Sequence, residues 1–241
     1  MPTRVAYLHG MGGSPEDWRS VQTRAPGLAL ALDAGASDPA ECAATFADQA
    51  LKQLSGSIAL CGYSMGGRIA VLAAEILLGR KKKPDALILV STGFGGGTAE
   101  ERAERARRDE EWAQLAEKNA EEFWKRWYEQ DLFASFQALP EATRKGWLDQ
   151  RKSLDIAALT GQLRRLGPAR HDDLFPVLKS VCAKGVKVLY IAGELDKKYS
   201  ELSRKVAEIP GVTVDKIAGA GHILPLEAPE PLALRIARFV R

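Results

Sequence analysis

The chain has 241 residues, of which 46% are hydrophobic and 27% charged. That suits a globular protein with one sizeable core. A net charge of +3, from 34 basic and 31 acidic residues, is too small to argue for nucleic acid or a membrane surface as partner. The longest apolar run, Ile69 to Leu78, carries Glu75 and is too short to span a bilayer. Cys42, Cys61 and Cys182 show no paired or metal-ligand spacing, so a reduced, cytoplasmic protein without a metal site is expected.

The first residues run directly into Arg4 to Leu8, read as a strand buried on both faces. No cleavable leader is therefore expected. The strand meets the glycine-rich loop His9-Gly10-Met11-Gly12-Gly13-Ser14, whose backbone N–H groups can approach a ligand closely. Gly27 to Leu32 reads as a second strand and Pro39 to Leu54 as a helix covering one sheet face. Then comes Ile58 to Cys61, a buried strand, followed by the turn Gly62-Tyr63-Ser64-Met65-Gly66 and an Ala/Ile/Leu-rich helix to Leu78. Strand, G-x-S-x-G and helix in that order place a serine hydroxyl on a sharp, strained turn. The helix behind it points its free N–H groups at that hydroxyl.

Ala86 to Val90 is another buried strand. After Ser91-Thr92-Gly93-Phe94-Gly95-Gly96-Gly97 the pattern changes. From 97 to 170 the chain is charged, helical in period and rich in aromatics, including Trp112, Phe123, Trp124, Trp127, Tyr128 and Trp147. We read 97–170 as a helical insertion, a lid, and 1–96 with 171–241 as the core. The sheet resumes at Val186 to Ile191 and ends with Val212 to Ile217, and Glu230 to Arg241 closes the chain as an amphipathic helix. The fold class is α/β, a mainly parallel doubly wound sheet with the lid inserted before the last two strands.

A serine hydroxyl needs an imidazole to take its proton and a carboxylate to orient that imidazole. Three histidines are available. His9 sits in the glycine loop and reads as a brace for it. His171, beside Asp172 and Asp173 where the insertion ends, reads as a surface residue. His222 follows a strand in the loop Ala218-Gly219-Ala220-Gly221-His222 and is taken as the base. Asp196 follows the Val186–Ile191 strand and is taken as the acid, with Glu194 as its rival. The order Ser64, Asp196, His222 is that of the α/β-hydrolases, and the chain resembles that family throughout. In that fold the oxyanion donors are the amides of Met11 and Met65.

Within the family the chain is most similar to the 2-succinyl-6-hydroxy-2,4-cyclohexadiene-1-carboxylate (SHCHC) synthases of menaquinone biosynthesis. Three stretches carry the resemblance: Gly62-Tyr63-Ser64-Met65-Gly66-Gly67-Arg68, Trp127-Tyr128-Glu129-Gln130-Asp131-Leu132-Phe133 and Gly193-Glu194-Leu195-Asp196-Lys197-Lys198-Tyr199. It implies a lyase that takes a ring proton and releases pyruvate from an enolpyruvyl cyclohexene carboxylate, without metal or organic cofactor. It also implies that Tyr63 and Arg68 meet a small carboxylated substrate, with Arg68 one helical turn past Ser64 and on its face. A lid arginine is implied as well. Arg105, Arg107 and Arg108 all qualify, and Arg108 is preferred. Trp127 either lines the pocket or belongs to the lid core. A serine carboxylesterase or C–C hydrolase working through an acyl-enzyme is the alternative, and a non-catalytic binding module on the same fold is a third.

Overall fold

The structure, a computed structural model, describes residues 3–241. Its frame is one six-stranded sheet: β1 (Arg4–Leu8), β2 (Gly27–Leu30), β3 (Ile58–Tyr63), β4 (Ala86–Val90), β5 (Lys187–Gly193) and β6 (Val212–Ile217). The strand order is β2-β1-β3-β4-β5-β6, and every neighbouring pair is parallel. Parallel strands need crossovers, and helices supply them: α1 (Arg19–Gln22), α2 (Pro39–Gln53), α3 (Met65–Gly79), α9 (Phe175–Ala183) and α10 (Lys197–Ala207); α11 (Leu224–Glu227) and α12 (Pro229–Phe239) follow the last strand. Between β4 and α9 the chain makes α4 (Ala99–Lys118), α5 (Ala120–Tyr128), α6 (Ala134–Gln137), α7 (Glu141–Lys152) and α8 (Ile156–Leu166).

Alternation along each strand feeds two cores. Ala6, Leu8, Leu60, Leu87, Leu89 and Tyr190 face α2, α3, α9 and α10, meeting Phe46, Ile69, Leu178 and Val206. Val5, Tyr7, Cys61, Ile88 and Ile191 face the other way, onto Trp18, Leu232 and Ile236. β3 and β4 are buried at every residue, as expected for strands covered on both faces. The inserted helices have their own apolar centre of Phe123, Trp124, Tyr128, Phe136, Trp147 and Leu163, closed against the core by Ile223. α4 starts on a capping box, with Thr98 Oγ1 accepting from Glu101 N and Glu101 Oε2 accepting from Thr98 N. Its outer turns are tied to α8 by Arg164, which bridges Glu110 and Glu117.

Some expectations change: β2 stops at Leu30, not Leu32, and β5 runs on to Gly193, past Ile191. β3 runs on to Tyr63, two residues past the expected end, because Gly62 and Tyr63 pair with Leu89 and Val90. His171 is a core residue, 3% exposed, not a surface one. Its Nε2 meets the Leu166 carbonyl at 3.3 Å, and the loop leaving β4 folds over it. That loop turns on Gly95, Gly96 and Gly97, with φ of 66°, 75° and 106°, a run that only glycine adopts cheaply. No helix among the described residues is long and apolar enough to cross a membrane.

Candidate active site

The elbow is built from backbone. Ser64 has φ 51° and ψ −110°, a conformation that costs a non-glycine residue about 1–3 kcal/mol. Neighbours hold it there: Ser64 N donates to the Val90 carbonyl at 2.8 Å, and Gly67 N donates back to the Ser64 carbonyl at 3.1 Å. A Cβ on Gly62 would overlap the Gly66 backbone, and one on Gly66 would overlap the carbonyls of Leu8 and His9. The two glycines therefore let strand, helix and the loop after β1 close on one another.

Three loops at the C-terminal edge of the sheet converge on this turn. His222 Nε2 lies 3.2 Å from Ser64 Oγ, and His222 Nδ1 lies 2.6 Å from Asp196 Oδ2. A carboxylate only accepts, so Nδ1–H donates to Asp196 and Nε2 is free to accept from the serine. Asp196 is the N-cap of α10, where its Oδ1 accepts from Tyr199 N at 3.2 Å. Asp196 and His222 are 4% and 2% exposed, so water is kept from both. Glu194 is not in contact with His222; its Oε2 accepts from Gly219 N and braces the exposed turn. Glu227, which no motif singles out, clasps the histidine loop on both sides, accepting from Gly221 N at 2.6 Å and Ile223 N at 2.8 Å.

The glycine loop lies opposite. His9 is buried and spans it: Nδ1 donates to the Gly10 carbonyl at 2.7 Å and Nε2 accepts from Leu32 N at 3.1 Å. Burial lowers its pKa and keeps the ring neutral, as this bonding requires. Gly12 N is taken by Gln162 Oε1 of α8 at 3.0 Å, and Gly13 N by the Gly10 carbonyl. Among the described residues the Met11 and Met65 N–H groups have no protein acceptor, which leaves these two donors free beside Ser64.

Ser64 opens into a small chamber of about 50 Å3, whose walls include Met11, Tyr63, Trp127, Phe133 and Arg151. Arg151 is the residue that sequence reasoning missed. It reaches from α7 to Asp17 with Nη1–Oδ1 and Nη2–Oδ2 at 2.8 and 2.9 Å. Its guanidinium lies 3.8 Å over the Trp147 ring, and its Nε meets Tyr128 Oη at 3.3 Å. Both charges are buried, so the chamber is electrically balanced. The partners are 134 residues apart, and neither has a local pattern that reveals the other.

Arg68 lies elsewhere. Its side chain is 4% exposed and lines a second cavity of about 380 Å3, with Arg105, Arg108, Asp109, Lys198 and Tyr199 among the walls and Ser64 not among them. The expectation that i and i+4 share a face fails for a physical reason. Ser64 is the N-cap, with a non-helical φ, so its side chain is out of phase with the helix that follows. Arg108 lines the same cavity from an exposed position and also leans toward Glu104. Arg105 lines it too, with Nη1 donating to the Gly96 carbonyl at 2.8 Å. Arg107 faces outward and pairs with Glu104. Four cations thus face one carboxylate. Burial pushes Asp109 up to about 6 against the pull of Arg68 and Arg108, and burial together with Arg68 pushes His171 down to about 3. Among the described residues, Arg68 Nε, Asp109 Oδ2 and His171 Nδ1 are buried without a partner. No metal-holding group of three or more His, Cys, Asp or Glu occurs there.

Residues 5–235 match the model of the alpha/beta hydrolase family. The chain is 30% identical to the 2-succinyl-6-hydroxy-2,4-cyclohexadiene-1-carboxylate synthase of Enterobacter sp. (strain 638), over 98% of this chain and 91% of that one. In structure it is similar to MenH from S. aureus, with TM-score 0.88, 24% identity, and 98% and 92% of the two chains covered. It is also similar to a thermophilic esterase from Thermogutta terrifontis, with TM-score 0.76, 20% identity, and 99% and 89% covered. At these identities the structures speak for the fold alone.

Proposed function

The chain belongs to the alpha/beta hydrolase family, and on that premise we propose that it is a lyase of the SHCHC synthase type, acting in menaquinone biosynthesis. One observation carries the reading beyond the fold: a complete Ser64–His222–Asp196 relay, at 3.2 and 2.6 Å, stands beside a separate cavity with an excess of arginine and lysine. A neutral ester needs the first and has no use for the second. A cyclohexene bearing several carboxylates needs both.

In this reading Ser64 is the base. His222 accepts the serine proton through Nε2 while Asp196 holds Nδ1–H and steadies the imidazolium. The serine oxygen takes a ring proton, the electron pair moves toward the adjacent carbonyl, and the Met11 and Met65 amides receive the enolate-like oxygen. Collapse of the enolate expels the enolpyruvyl oxygen, which leaves as pyruvate once its carbon is protonated. Arg68 and Arg108, with Tyr63 and Trp127 nearer Ser64, bind the substrate. Residues 97–170 act as the lid over it, and no cofactor takes part.

The second reading is a carboxylesterase or C–C hydrolase, and the free amides favour it equally, since a tetrahedral oxyanion would use the same two donors. One experiment separates them. The purified protein is given the enolpyruvyl cyclohexene carboxylate, with pyruvate followed by a coupled assay, and in parallel a panel of p-nitrophenyl esters. Pyruvate release that disappears in Ser64→Ala and His222→Ala supports the lyase. Fast ester turnover without pyruvate refutes it.

A further inference from the structure

Three aromatic rings surround the His222 imidazole: Tyr63, Phe133 and Tyr199, with centroids at 5.5, 5.7 and 4.9 Å. Tyr63 and Phe133 belong to the Ser64 chamber. Tyr199 alone of the three also lines the cationic cavity. Its ring is therefore the partition between the relay and the arginines, tilted 31° to the imidazole on one side and facing the cavity on the other. The ring is held in place. It is 6% exposed, and a Cβ on Gly93 would come within 3.3 Å of Tyr199 Cε1, so the loop after β4 carries glycine where the ring lies.

The first turn of α10 makes this partition mechanical. Tyr199 N donates to Asp196 Oδ1 at 3.2 Å, and Ser200 N donates to the Asp196 carbonyl at 2.8 Å. The next residue back, Lys198, lines the cavity, and its ammonium lies 5.4 Å from the Tyr199 ring centroid. One short turn thus bears the carboxylate that orients His222, the ring that flanks it and a cation that an anion in the cavity would attract. We propose that Tyr199 is a positioning residue that couples occupancy of the cationic cavity by a substrate carboxylate to the alignment of His222. A bound carboxylate draws Lys198 and settles the turn, and the Tyr199 ring passes that constraint to the imidazole.

The inference rests on reading the cavity as the seat of a substrate carboxylate, and its test does not need the natural substrate. With only three histidines in the chain, side-chain 15N spectra resolve each imidazole, and a His222→Gln spectrum assigns the one of interest. Succinate is the probe, titrated into wild type, Tyr199→Phe, Tyr199→Leu and Arg68→Gln, with affinity read by calorimetry. Succinate should bind the first three within about threefold of one another and bind Arg68→Gln at least tenfold more weakly. His222 should shift in wild type and in Tyr199→Phe, which keeps the ring, and stay still in Tyr199→Leu. On whichever substrate the pyruvate and ester assays identify, Tyr199→Leu should lose about tenfold in kcat with KM held within threefold, and Tyr199→Phe should restore it. Failure of succinate to bind wild type overturns the proposal. So does binding that leaves His222 unmoved, or equal movement in Tyr199→Leu. If pyruvate is never released while the His222 response persists, the lyase reading fails and the coupling stands.

Discussion

The two cavities at the edge of the sheet differ in how they treat charge. The Ser64 chamber contains a cation, Arg151, whose fork is already filled by Asp17. Its neighbour holds Arg68, Arg105, Arg108 and Lys198 against Asp109 alone. The first is a balanced, water-poor place where a proton can move between serine and imidazole without a large background field. The second is unbalanced and draws an anion. On the proposed reading, chemistry belongs to the first and carboxylate recognition to the second, with Tyr199 between them.

The largest effect should come from the chamber. Ser64→Ala is expected to lower kcat by about 10³-fold or more while a carboxylate probe still binds with unchanged affinity. Parallel loss of both would show that the two cavities are one. Next is the buried pair. Arg151→Met strands Asp17 and should cost about 3–5 kcal/mol, seen as a fall of roughly 10 °C in Tm. Asp17→Leu with Arg151→Met should recover most of it, because the pair is replaced by apolar contact; if the double variant stays as weak as the single one, the charge is needed for more than packing.

Smaller effects should come from the cationic side. Arg68→Gln should raise KM for a carboxylated substrate by about 10–100-fold and leave a small neutral ester nearly untouched; equal effects on both would remove Arg68 from recognition. The smallest is a pH effect. Asp109 sits at about 6, above its ordinary 3.8, so it is charged at pH 7 and protonated at pH 5. Around it stand Arg105 and Arg108 on its own helix, Arg68 from α3 and Arg170 after α8. As pH falls through 6 the cavity loses its one carboxylate and becomes more positive, so KM for the carboxylated substrate should fall by a few-fold. Asp109→Asn should hold the low value across the range. A wild-type KM flat from pH 5 to 7 would contradict this.

What could be seen in the sequence follows from how each contact is made. Ser64, Asp196 and His222 each lie in a loop that follows a strand, and a parallel sheet brings such loops to one edge, so the strand assignments together with the G-x-S-x-G turn and the order of the three residues pointed to one site. The helices between β4 and α9 were legible as a block because charged helical periodicity interrupts the alternation of strand and helix. Arg151 and Asp17 were not legible, since their meeting depends on how α7 docks 134 residues away. Arg68 was expected on the face of Ser64 but lines the neighbouring cavity, because helix phase was extended back through a residue whose φ is 51°. His171 was taken for surface because two aspartates follow it, yet a loop of three left-handed glycines covers it.

Gln162 holds the Gly12 amide from α8, and the Trp124 ring packs where a Gly12 side chain would project. The helical insert thereby braces the glycine loop after β1, the loop proposed to stabilise the developing anion. Trimming the enzyme to a lidless minimal scaffold would keep serine, histidine and aspartate in register, yet release Gly12 and let the neighbouring Met11 donor swing out of aim. In this fold a shortened chain should be an intact triad without a working catalyst.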